Sequence, residues 1–309
     1  MSPIDPGETG QPHCREGRRG SLAPPFKTIA WNGISLAVPG AWDLGTLGEN
    51  HLLFGENREP RLEITWTEGP ARGSFENQMN RFISRVQKRL GITVSPLSIP
   101  FGSVTPDSPV SVAGFFWKSA SSRGRGGLVR CKGCKRIAML RFFDRCESLS
   151  DTLMETVVGS YKDTCPGKSC SWQVFGLDLL TPGGFSLYRY SFRPGAFSMA
   201  FKAPGQEMTV YSWGPAAFLL LDSGLAGFAG QRINLPDKTP WATEEGGRPC
   251  LVWEWQRFPW SFGFLNPHER FRICHDQTLN RLIGFKRVFN HRGGRKPMEG
   301  SIICHDITG

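Results

Sequence analysis

The chain has 309 residues, 39% of them hydrophobic and 21% charged, with a net charge of +10. That length suits two domains of about 140 residues, each able to bury a core. No apolar run reaches the roughly 18 residues that a membrane-spanning helix needs, and the stretch from Met1 to Pro6 has no apolar leader core, so the expected compartment is the cytoplasm.

In chain order, residues 1–25 carry Pro, Gly, Arg15, Arg18 and Arg19 with little apolar content, the composition of a disordered or partner-ordered tail. A strand is expected over 29–38, turned by Pro39-Gly40, with short strands near 51–54 and 61–66. The clearest helix runs from Phe75 to Leu90. Ser74 is its natural N-cap and Gly91 its C′ residue, while Phe75, Met79, Phe82, Val86 and Leu90 make one apolar stripe. Strands follow around 92–98, 110–119, 127–131 and 135–143, and a helix over 149–162 closes a first unit spanning 26–164. After a linker at 165–171, a second unit covers 172–309. Its central helix, 215–229, is interrupted by glycines, and strands are expected around 250–257, 262–265, 270–274 and 281–289 before a short closing segment at 298–307.

The two units echo each other. The stretch from Gly33 to Leu44 (GISLAVPGAWDL) and that from Gly176 to Leu187 (GLDLLTPGGFSL) share five of twelve residues at an offset of 143. Strands ending in Trp66 and Trp213 lie 147 apart, Arg136-Ile137 and Arg281-Leu282 lie 145 apart, and Met154-Glu155 and Met298-Glu299 lie 144 apart. Collinear landmarks at nearly one spacing point to two copies of one unit. Strand pair, further strands, helix, strands and closing helix read as α+β, with two tandem antiparallel sheets each packed with helices. The opening pattern Gly-Ile-x-Leu-x-x-Pro-x-x-Trp at Gly33–Trp42, with this element order, resembles the PsbP/Mog1-like domain family. The resemblance implies an α/β sandwich and a binding or assembly role. It carries no site residue over to this chain.

Several kinds of chemistry compete. Arg123-Gly124-Arg125-Gly126-Gly127, with Arg130, Lys132 and Lys135, is the densest basic stretch, either an RGG-type loop that could track a phosphate backbone or a solvated hairpin tip. Cys131 and Cys134 form a CxxC, and Cys274-His275-Asp276 recurs as Cys304-His305-Asp306. Cys131, Cys134, Cys274 and Cys304 are therefore candidate zinc ligands, against the alternatives of a redox pair, a Cys/His dyad, or a plain turn at Lys132-Gly133. Most of the nine cysteines would be reduced in a cytoplasmic chain. Trp241, Trp253, Trp255 and Trp260 crowd the second unit as sheet core or as a docking patch for another protein. GxGxxG, Walker, HExxH and GxSxG motifs do not occur, which leaves a non-catalytic accessory subunit as the expectation, with a nucleic-acid-associated protein or a zinc-stabilised or redox protein as the alternatives.

Overall fold

The structure, a computed structural model, describes residues 25–67, 73–97, 108–144, 149–256 and 267–290. The expected tail up to residue 24, the strand at 262–265 and the segment at 298–307 lie outside the described residues. Two compact units divide the chain: Met1–Ile29 with Ile34–Asp163, and Ala30–Gly33 with Thr164–Gly309.

In the first unit, seven antiparallel strands form one sheet. They are β3 (Asp43–Gly48), β4 (His51–Glu56), β5 (Glu59–Trp66), β6 (Thr93–Pro96), β7 (Val110–Lys118), β8 (Arg123–Cys131) and β9 (Ile137–Phe142), in the spatial order β3-β4-β5-β9-β8-β7-β6. Alternation in β5 sends Leu62, Ile64 and Trp66 inward, and Leu62 lies opposite Phe142 while Ile64 lies opposite Leu140. Each such fully buried side chain contributes about 1.5–3 kcal/mol.

Helix α1 (Phe75–Leu90) begins where Ser74 Oγ accepts the Asn77 N–H at 3.2 Å and ends on Gly91 at φ 61°. Its Met79, Phe82, Ile83 and Val86 pack against Phe115, Trp117, Leu128 and Met139 of the sheet. Helix α2 (Asp151–Gly159) buries Met154, Val157 and Val158, and Ser160 Oγ accepts the Ala37 N–H of β2 (Ile34–Pro39) at 2.8 Å. β2 also pairs with β10 (Lys162–Asp163).

The second unit repeats the sheet order. β13 (Ser186–Arg193), β14 (Ala196–Ala203), β15 (Gln206–Trp213), β16 (Trp241–Glu245), β17 (Arg248–Gln256), β18 (Pro267–Asp276) and β19 (Arg281–Asn290) lie as β13-β14-β15-β19-β18-β17-β16. Beside them, β11 (Cys170–Val174) pairs with β12 (Leu177–Thr181), and Ala30 of β1 (Phe26–Trp31) faces Gln173. Trp31 is fully buried there, edge-on to Trp172 at 5.4 Å and to Tyr190 at 5.2 Å.

The α+β expectation does not hold. Nineteen strands and four helices occur among the described residues, so the chain is β-rich and antiparallel, in three sheets. The helix expected over 215–229 is two short pieces, α3 (Ala216–Leu219) and α4 (Gly224–Arg232). Gly224 starts α4 at φ 60° with no side-chain cap, and Gly227 and Gly230 weaken it further. Aromatic and β-branched residues meanwhile extend the strands.

The expected strand over 29–38 is also two strands. Asn32 and Gly33, at φ 45° and 88°, make the tight turn between β1 and β2. Phe175 and Gly176, at φ 51° and 76°, make the matching turn between β11 and β12.

Candidate functional site

In the second unit a cleft of about 310 Å3 is lined by Phe197, Ser212, Pro215 and Arg281, among others. β19 places Arg281 at its first residue. There Nη1 donates to Phe175 O at 3.2 Å and to Ser212 Oγ at 3.4 Å, and the guanidinium lies 5.5 Å from the Phe197 ring. These contacts fix a cation at the wall of the cleft. Asn280 ties the cleft to α3: its carbonyl accepts the Ala216 N–H and its Oδ1 accepts the Ala217 N–H, both at 2.8 Å.

Pro215, a cleft residue, is the N-cap of α3, and the chain then presents Phe218 and Leu221 at 73% and 75% exposure. Both stand well above the other exposed large apolar side chains among the described residues, of which Trp241 is 46% exposed. Sequence reasoning missed this surface. The signal was Phe218-Leu219-Leu220-Leu221, four apolar residues in a row that a helix cannot turn to one side.

The basic stretch is not a loop. Arg123–Cys131 is strand β8, hydrogen-bonded to β7 on one side and β9 on the other. Its glycines serve packing: a Cβ on Gly124 would sit 1.8 Å from Phe142 O, and one on Gly126 would sit 2.2 Å from the Phe115 ring. Trp117 uses the space, donating its indole N–H to Phe142 O at 3.1 Å. Arg125 pairs with Asp144 at 3.5 Å and with Asp151, and Arg130 donates to Gly73 O at 3.3 Å. Lys135 Nζ donates to Lys132 O at 2.6 Å, while Arg123 and Lys132 are exposed. Arg123, Arg125 and Arg130 thus stand on a paired strand, and Lys132 and Lys135 on the turn after it.

The tryptophans also separate. Trp253 is buried against Phe271, and Trp255 packs on the same core with Lys286 Nζ 5.6 Å from its ring. Trp241 opens the exposed edge strand β16, and Trp260 lies outside the described residues.

Of the candidate metal ligands, Cys274 is bonded to Cys250, directly opposite on β17, so it offers no thiolate in this state; Cys304 lies outside the described residues. Cys131, Cys134, Cys165 and Cys170 are outside that disulfide. Cys131 and Cys134 are brought together with a residue the sequence did not single out, Asp163, all three ligand atoms lying within 4.8 Å of one another. Burial first, and then the Asp163 carboxylate, push the Cys134 thiol far above its ordinary pKa, outweighing the backbone hydrogen bond from Arg136.

No protein-family model and no curated protein matches the chain. Among solved structures it is similar to the Saccharomyces cerevisiae Ran-binding protein Mog1p, at 7% identity and a TM-score of 0.35, over 46% of this chain and 97% of that one. It is also similar to the immunity protein TplEi of T6SS from Pseudomonas aeruginosa, solved with an "L" peptide, at 11% identity and a TM-score of 0.33, over 88% and 90%. The apo form of TplEi matches at 11% identity and a TM-score of 0.32.

Proposed function

We propose that this chain is a non-catalytic binding or assembly module, an accessory subunit that holds an acidic, apolar segment of another protein. The observation that carries this reading is the exposure of Phe218 and Leu221, which follow Pro215, a residue of the cleft that Arg281 also lines, within six positions of the chain. Covering two such side chains returns about 1.5–3 kcal/mol each. Arg281 and the net charge of +10 favour a partner with carboxylates. We further propose that the two units arose by duplication of one strand-rich module, which their shared strand order supports.

A peptide-display selection against the full chain tests the binding role. Enriched peptides are expected to pair large apolar residues with Asp or Glu. Their affinity, read by fluorescence anisotropy, should fall about tenfold or more both in F218S/L221S and in R281A. The reading is overturned if no peptide exceeds scrambled controls, or if both variants melt normally and bind undiminished.

A further inference from the structure

The loop between β8 and β9 holds a cluster that the docking surface does not use. Cys131 ends β8 and is buried, and Cys134 follows within a closed turn. In that turn Cys131 N–H donates to Arg136 O at 3.0 Å and Lys135 N–H donates to Cys131 O at 3.1 Å, with Lys135 in the left-handed region at φ 64°. Asp163 comes from β10, pinned by pairing with Ile34 of β2, and its side chain is only 1% exposed.

The carboxylate is oriented from behind. Arg136 Nη1 stands 3.5 Å from Oδ2 and the Tyr161 hydroxyl donates to the same oxygen at 3.4 Å, while Oδ1 accepts from the Cys134 thiol at 3.0 Å. Carboxylates that ligate metals are in turn held by such outer hydrogen-bond partners.

We propose that Cys131, Cys134 and Asp163 form a binding site for a zinc-like divalent cation. Bond lengths of about 2.3 Å to sulfur and 2.0–2.2 Å to oxygen place tetrahedral ligands about 3.5–3.8 Å apart. A cluster confined within 4.8 Å, with one pair at 3.0 Å, reaches that spacing by small side-chain shifts.

Charge points the same way. Two thiolates and a carboxylate carry −3, Arg136 contributes +1, and a divalent ion brings the group to zero. Cysteine binds such an ion as the thiolate, so binding releases protons and strengthens as pH rises.

The test uses the full chain, reduced, stripped with chelator and titrated anaerobically with Co2+. Expected are saturation at one equivalent, a thiolate-to-cobalt charge-transfer band, tetrahedral visible bands, and bleaching on addition of Zn2+. D163N and C134S should each weaken binding about tenfold or more, and C170S should leave it unchanged. The proposal falls if the folded wild-type chain gives no charge-transfer band, or if the band persists in C131S/C134S. The wild-type titration decides the matter even if a variant fails to fold, and none of its readouts depends on the peptide-binding surface.

Discussion

Trp31 offers the sharpest test of how the chain is divided. It lies in the N-terminal part of the sequence, yet with Ala30–Gly33 it belongs to the second unit. Its ring is 0% exposed and meets Trp172 at 5.4 Å, Tyr190 at 5.2 Å and Phe192 at 5.8 Å. Trp172 in turn meets Phe201 at 4.9 Å and donates its indole N–H to Thr181 Oγ1 at 3.0 Å. Trp31→Ala deletes the centre of this cluster. A large-to-small change of that kind costs about 3–5 kcal/mol, transfer and cavity together. Because two units need not unfold as one, a single melting curve is a poor reporter, and hydrogen exchange read peptide by peptide is the right assay. Amides in β11, β12, β13 and β14 should exchange about 100- to 5,000-fold faster, while those in β5, β8 and β9 hold their protection. Trp117→Ala, a removal of equal size from the first unit's core, should give the opposite pattern. The reasoning is refuted if Trp31→Ala loosens β5 and β9 and leaves β11 to β14 untouched.

Two further outcomes follow from buried chemistry. Burial above all, and then the charge of Asp163, raise the Tyr161 pKa well above its ordinary 10.0. The unfolded chain therefore loses this proton first, and stability should fall above pH 10 by up to about 1.4 kcal/mol per pH unit until the folded pKa is passed. Tyr161→Phe should flatten that slope in urea titrations at pH 9 and 11; an unchanged slope refutes the assignment. Opening the Cys250–Cys274 disulfide, whose cysteines are 24 residues apart, should cost about 3 kcal/mol. The loss should appear as a lower urea midpoint in reductant and in C250A/C274A alike, with faster exchange in β17 and β18; equal midpoints with and without reductant would refute it.

What was legible in the sequence was local. Ser74, Gly91 and the apolar spacing between them located α1, because capping and helical periodicity are written within a few residues. The Asn32-Gly33 turn was equally local, and its dipeptide is a strong hairpin signal, yet the apolar residues on both sides read as one strand. Elsewhere the pattern misled for tertiary reasons. Arg-Gly repeats look like a loop, but Gly124 and Gly126 are small because Trp117 and Phe115 from the next strand need the room. Gly224, Gly227 and Gly230 announced a weak helix, and the chain broke it in two. The metal cluster was half visible: the CxxC is a sequence motif, whereas Asp163 joins it through pairing between β10 and β2. Phe218 and Leu221 were ordinary apolar letters until the fold left them in water.

The assignment of Ala30–Gly33 to the second unit has a consequence for biosynthesis. Trp31 leaves the ribosome about 140 residues ahead of Trp172, and at about 5–20 residues per second it waits roughly seven to thirty seconds for its aromatic partner. During that interval an indole meant for a fully enclosed position stands in solvent on a nascent chain whose earlier module can already close.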